Sequence, residues 1–173
     1  MKSTSRYINI AMLSAAGSVL FIVETLIEAP FPWIRLGLAN IVTLIALQWW
    51  GLKEAFAVVV LRVFIGSLII GRLFHPVFFL SISGSLTAAF VMALAMQYNE
   101  KLFSLIGISI IGATVKNMTQ LSVVYLIYIR QITVFYLIPL FLFISIVSGF
   151  LVGIAALLIS KSSVISTIYR TQI

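Results

Sequence analysis

The sequence predicts an all-α integral membrane protein, a bundle of six transmembrane helices with both termini in the cytoplasm. Three observations carry that reading. Of the 173 residues, 62% are hydrophobic and 9% are charged, a balance more apolar than a soluble domain needs. The apolar residues fall into runs near the ~20 that a helix needs to cross a bilayer. The basic residues sit mostly at the ends of those runs and favour one side.

Taken in order, the spans run over about 8–27, 34–50, 55–74, 78–97, 102–129 and 134–160. The second is short and is bracketed by Trp33 and by Trp49 with Trp50, residues that favour the membrane interface. Pro30 and Pro32 precede it and close the first helix. Gly51-Leu52-Lys53-Glu54, the Pro76 region, Tyr98-Asn99-Glu100-Lys101 and Arg130-Gln131 supply the turns. The last two spans exceed the minimum length, so tilt or interfacial ends are expected. No linker, low-complexity tract or internal repeat divides the chain, so residues 1–173 read as a single domain. The missing repeat weighs against an inverted-repeat transporter. The first run is long and contains Glu24, which suits a membrane helix better than a cleaved leader.

An even number of spans puts both ends on one side. Lys2, Arg6, Lys53, Lys101, Lys161 and Arg170 then share that side, and Arg35, Arg72 and Arg130 lie on the other. Six against three favours termini inside. The net charge of +7 follows from the same bias. Because these cations are scattered singly between apolar runs, a nucleic-acid partner is not expected.

Composition also excludes chemistry. The chain has no cysteine, one histidine (His75) and four acidic residues, all glutamate. Aspartate-rich magnesium-diphosphate sites, aspartyl phosphates and thiolate metal sites are therefore absent from the sequence. No Walker A pattern is present. No cofactor, metal or catalytic residue is expected, and any ATPase would be a separate subunit. His75, alone beside Pro76, reads as an ordinary loop residue.

Ionisable and amide residues inside the spans are more informative. A charge at bilayer depth costs roughly 2.5–3.5 kcal/mol on insertion scales and normally faces the bundle interior or a cavity. Arg62 is near the middle of the third span and Lys116 near the middle of the fifth. Gln120 shares a helix face with Lys116, four residues back, and with Asn117, three back. Glu24 and Glu28 share a face at the outer end of the first helix. Two arrangements fit: a glutamate paired with Arg62 or Lys116 as a structural tie, or a positive excess that meets an anionic ligand. With Arg35 and Arg72 the cations outnumber these acids four to two. Arg35, Asn40, Arg62, Arg72, Lys116, Asn117 and Gln120 are thus the candidate substrate-binding residues, arginine for an anionic head and amides for orientation.

Small residues form stripes. Ser81, Gly84, Ser85 and Ala88 share a face of the fourth span, and Ser145, Gly149 and Gly153 recur every fourth residue in the sixth. Both read as seams between helices. Ala11 and Ala15 in the first span fit either such a seam or a docking strip for another membrane subunit.

The run Arg35-Leu36-Gly37-Leu38-Ala39-Asn40-Ile41-Val42-Thr43-Leu44 closely resembles the signature of the Gx transporter family, also labelled heptaprenyl diphosphate synthase component I. Arg62-Val63-Phe64-Ile65-Gly66-Ser67-Leu68, with Gly71, Pro76, Ser81, Ser83 and Gly84 beyond it, agrees. So does Gly112-Ala113-Thr114-Val115-Lys116-Asn117-Met118-Thr119-Gln120. The resemblance spans roughly residues 10–160. Where the family pattern has histidine, this chain has Lys116, which argues against a histidine-based role there.

The family in turn looks like the substrate-binding S components of energy-coupling factor transporters. That resemblance implies a multi-pass protein of the cell membrane, in bacteria the plasma membrane. Its expected partners are a coupling transmembrane subunit, ATPase subunits, the lipid bilayer and a small or amphipathic anionic ligand. It also implies that Ala11 and Ala15 form the alanine-x-x-x-alanine docking motif. The synthase label implies a link to isoprenoid or quinone metabolism, but without aspartate this chain cannot elongate a prenyl chain by the magnesium-diphosphate route. A different class of function remains: a non-catalytic membrane partner of a prenyl diphosphate synthase or redox enzyme. A solitary transporter or lipid-binding protein is a third reading.

Overall fold

The computed structural model describes residues 2–26, 37–98 and 104–161. The described chain is all-helical: α1 Lys2–Leu26, α2 Asn40–Trp50, α3 Leu52–Ile69, α4 Pro76–Tyr98, α5 Leu105–Val123 and α6 Ile138–Lys161. A π-helical turn, Val124–Tyr128, extends α5, and a 3-10 turn, Ile132–Leu137, leads into α6. Local sequence explains several of these limits. Pro76 opens α4 and Pro139 lies in the first turn of α6, where a missing N–H costs nothing. Ser104 caps α5 by accepting from the Gly107 N–H at 3.1 Å. Gly51 closes α2 and starts α3 at φ 91°, a conformation that suits glycine.

Four stretches are long and apolar enough to cross a membrane: Arg6–Leu26, Pro76–Tyr98, Leu105–Tyr128 and Ile132–Lys161. The other two expected spans differ. Described α2 has 11 residues, about 16 Å of helix against a hydrocarbon core of roughly 30 Å. α3 has 18 residues, about 27 Å, and carries Lys53, Glu54 and Arg62. The fifth span, expected to run unbroken to 129, leaves α-geometry after Val123, and the sixth begins with the 3-10 turn.

α2 occupies the middle of the bundle. It packs against α1, α3, α4 and α6, and Val42 through Leu47 are all buried. That surrounding explains the apolar run from Leu44 to Leu47, which meets protein on every side, while Asn40 and Thr43 are the buried polar residues of the helix and Gln48 near its end is exposed. Around it α1 packs on α3, α3 on α4, α4 on α5 and α5 on α6, the last being the most extensive pairing. The outer faces stay apolar, with Tyr7, Met12, Phe64, Phe90, Phe143 and Leu158 among many exposed large residues. Such a girdle suits lipid contact.

Glycine sets the closest helix approaches. A Cβ built at Gly149 would lie 2.6 Å from Ile110 Cα, and one at Gly153 2.7 Å from Ile106 Cα. Gly84 faces α5, where a Cβ built on it would lie 2.9 Å from Gln120 Cγ and 3.1 Å from the Lys116 carbonyl oxygen. The seams read from Gly84, Gly149 and Gly153 are thus places where helix backbones meet. In α1 the small residues divide: Ser14, Gly17 and Ser18 are buried, while Ala11, Ala15 and Ala16 are exposed.

Candidate functional site

Three ionisable side chains are buried among the described residues: Glu24 at 5% exposure, Arg62 at 1% and Lys116 at 5%. They come from the end of α1, the middle of α3 and the middle of α5. The start of α2 lies between them. Gly37 adopts φ 77°, a left-handed conformation nearly free of cost to glycine. The Asn40 and Ile41 N–H groups donate to the Gly37 and Leu38 carbonyls, so the chain turns sharply into α2 and presents Asn40 in its first turn.

Each of these residues has a defined contact. The Gly37 N–H donates to Glu24 Oε1. Arg62 Nη2 donates to Asn40 Oδ1 at 3.0 Å. A guanidinium has only donors, so it fixes the amide with its oxygen toward α3 and its nitrogen turned away. That nitrogen, Asn40 Nδ2, lies 3.4 Å from the point where a Gly37 Cβ would sit, and Lys116 Nζ lies 3.5 Å from the same point. Two donors from α2 and α5 thus converge beside one glycine. Gly17 allows the approach from the other side, since a Cβ there would lie 3.1 Å from Arg62 Cδ.

Asn40, Arg62 and Lys116 are therefore brought together at the start of α2. Gln120, 2% exposed, faces α4 and donates from Nε2 to the Leu80 carbonyl at 3.3 Å. Its Oε1 is buried with no hydrogen-bond donor among the described residues. Asn117 faces α6 instead, donating to Ser145 Oγ at 2.7 Å, which donates in turn to the Phe141 carbonyl at 2.6 Å. Arg72 is exposed in the loop between α3 and α4. Arg35 lies outside the described residues, as does Glu28.

Of the two arrangements open for Glu24, a structural tie to Arg62 or Lys116 and a cation excess meeting a ligand, neither named the contact it makes, which is to a backbone N–H thirteen residues on. Sequence reasoning also passed over Thr43, 1% exposed, whose hydroxyl has no partner among the described residues. Thr43 falls one turn after Asn40, and that spacing was the available signal. Ser14 is likewise buried, and its hydroxyl oxygen has no partner among the described residues. Among the described residues no group of three or more histidine, cysteine or acidic side chains could hold a metal ion. The arrangement offers fixed hydrogen-bond donors and positive charge in an apolar bundle, suited to holding an anionic group.

The family model described as heptaprenyl diphosphate synthase component I matches residues 13–159. The chain belongs to that family. The match takes in α2 through α5 whole, and with them Glu24, Gly37, Asn40, Arg62 and Lys116, so the buried cluster lies entirely within the family's region. No match was found among curated proteins or among solved structures.

Proposed function

We propose that this membrane protein is the substrate-binding subunit of an energy-coupling-factor type transporter. Its ligand would be a small or amphipathic anion taken up from the outer side, with both termini of the six-helix bundle in the cytoplasm of a bacterial cell. The observation that carries this reading is the meeting of Arg62, Asn40 and Lys116 beside Gly37, all buried. Charged and amide donors from α2, α3 and α5 gathered at one point of an apolar bundle suit an anionic group. Thr43 Oγ1 on α2 and Gln120 Oε1 on α5 add buried polar atoms with no hydrogen-bond partner among the described residues. Arg35 and Arg72 belong to the proposed site as outer cations that draw an anion in, and Asn117 supports it by tying α5 to α6.

The exposed faces of Ala11 and Ala15 support docking on a coupling subunit, since Ser14, Gly17 and Ser18 already provide the inward small surface of α1. Transport would then draw on ATPase subunits supplied separately.

The family's description favours a second reading: a non-catalytic membrane partner of a prenyl diphosphate synthase, or of a redox enzyme. Gentle purification from native membranes, with mass spectrometry of copurifying proteins, separates the two. The first reading expects coupling and ATPase subunits that are lost when Ala11 and Ala15 are both changed to leucine. A synthase or redox enzyme that survives the leucine change would overturn it.

A further inference from the structure

We propose that the ligand carries a hydrogen-bond donor, a hydroxyl or an N–H, close to its acidic group, and that Gln120 Oε1 receives it. The inference rests on the ligand-binding reading above and deepens it, from an anion to an acid with a donor beside it.

Gln120 holds an acceptor that the fold leaves idle. The side chain is 2% exposed, and Oε1 has no hydrogen-bond partner among the described residues. Its nitrogen donates to the Leu80 carbonyl at 3.3 Å. That bond fixes which end of the amide is which, because a carbonyl can only accept, and it turns Oε1 away from Leu80. An acceptor buried without a donor has lost water and gained nothing in return.

Structural duty does not account for the residue. Its bond to Leu80 is long, and the same carbonyl also accepts from Ser83 Oγ at 3.3 Å. The amide thus adds little that α4 lacks. Methionine, of similar length, would fill the place beside Gly84 with no idle oxygen. Thr43 repeats the pattern on α2. Helical hydroxyls in this chain commonly donate to the carbonyl one turn back, as do Ser18 to Ser14 at 2.8 Å, Thr25 to Phe21 at 2.7 Å and Thr114 to Ile110 at 2.9 Å. Thr43, 1% exposed and one turn after Asn40, makes no such bond.

Position ties Gln120 to the site. A Cβ at Gly84 would lie 2.9 Å from Gln120 Cγ and 3.3 Å from Lys116 Cγ. One at Gly37 would lie 3.4 Å from Asn40 Nδ2 and 3.5 Å from Lys116 Nζ. The Lys116 side chain therefore runs from the base of Gln120 to the donors beside Gly37. Donors stand at one end of it and an acceptor near the other. An acid with a donor on one of its next carbons matches that order.

The test uses the full chain in nanodiscs of phosphatidylcholine, titrated calorimetrically with empty nanodiscs as the reference. The probes are octanoate, its 2-hydroxy and 3-hydroxy derivatives, and the two matching methoxy acids, which keep the oxygen but cannot donate. At least one hydroxy acid should bind the wild type about fivefold more tightly than octanoate, an advantage its methoxy partner lacks. Gln120→Met should erase that advantage and leave the unfolding midpoint held or raised, since it removes a buried idle acceptor. A purely structural glutamine would lower the midpoint and leave the hydroxyl preference untouched. Saturable octanoate binding with no hydroxyl advantage in the wild type would overturn the proposal and leave the anion site standing. An advantage that persists in Gln120→Met would overturn it too. The wild-type comparison is decisive even if the variant does not fold. If no probe binds the wild type saturably, the site and its donor requirement fail together.

Discussion

Changing Gly149 to alanine should loosen α6 from α5, and the coordinates set the size of the effect. The new Cβ would lie 2.6 Å from Ile110 Cα, 3.1 Å from Ile110 N and 3.1 Å from the Ser109 carbonyl oxygen. All three are backbone atoms, so no rotamer change relieves the clash. An ordinary contact begins near 3.4 Å, and the two helices must part locally by close to an ångström. Overpacking of this kind costs about 1–3 kcal/mol. Repacking cannot recover it through the hydrophobic effect, because lipid solvates the exposed faces as well as a neighbouring helix would. In a chain of this length, that corresponds to a fall in the unfolding midpoint on the order of 5 °C. Thermal unfolding in detergent, followed by tryptophan fluorescence, is the assay. Gly153→Ala should behave alike, with Ile106 Cα at 2.7 Å. Gly17→Ala should cost less, since its nearest neighbour is the Arg62 side chain at 3.1 Å. A Gly149→Ala midpoint indistinguishable from wild type, or one less affected than Gly17→Ala, would refute the backbone-contact reasoning.

Asn40→Asp replaces a donor at the site with a negative charge while leaving an acceptor for Arg62, so anion binding should fall at least about tenfold with the unfolding midpoint held or raised; equilibrium titration beside a melt checks both. Ser145→Ala removes the acceptor for Asn117 and should destabilise by about 0.5–1.5 kcal/mol. A double-mutant cycle with Asn117→Ala would show whether the coupling belongs to that pair. Arg72 is exposed, so Arg72→Ala should slow ligand association in a salt-dependent way more than it changes the dissociation rate; stopped-flow measurements at two salt concentrations distinguish these effects.

Much of the architecture was legible because the bilayer imposes simple demands. Runs of apolar residues mark where helices must satisfy their own backbone, and prolines, glycines and charged pairs mark where they stop. The spacing of Gly149 and Gly153 announced a close seam, and periodicity put Lys116 and Gln120 on one face, the face that meets Gly84. Less legible was α2. Its apolar length resembled a membrane span, whereas its described helix is an 11-residue segment buried by four neighbours. Burial by protein and burial by lipid demand the same side chains, so composition does not distinguish them.

The sequence by itself determined an all-helical membrane protein without aspartate or cysteine chemistry, and nominated Asn40, Arg62 and Lys116 through the cost of polar groups at bilayer depth. Tertiary structure decided which of them meet. Asn117, adjacent to Lys116, turns to Ser145 on α6, since successive helical residues point about 100° apart. Glu24 reaches a backbone N–H because the left-handed turn at Gly37 carries that group to the end of α1. Each of these pairings joins residues distant in the chain, and they depend on how helices pack around α2, a property that no local pattern contains.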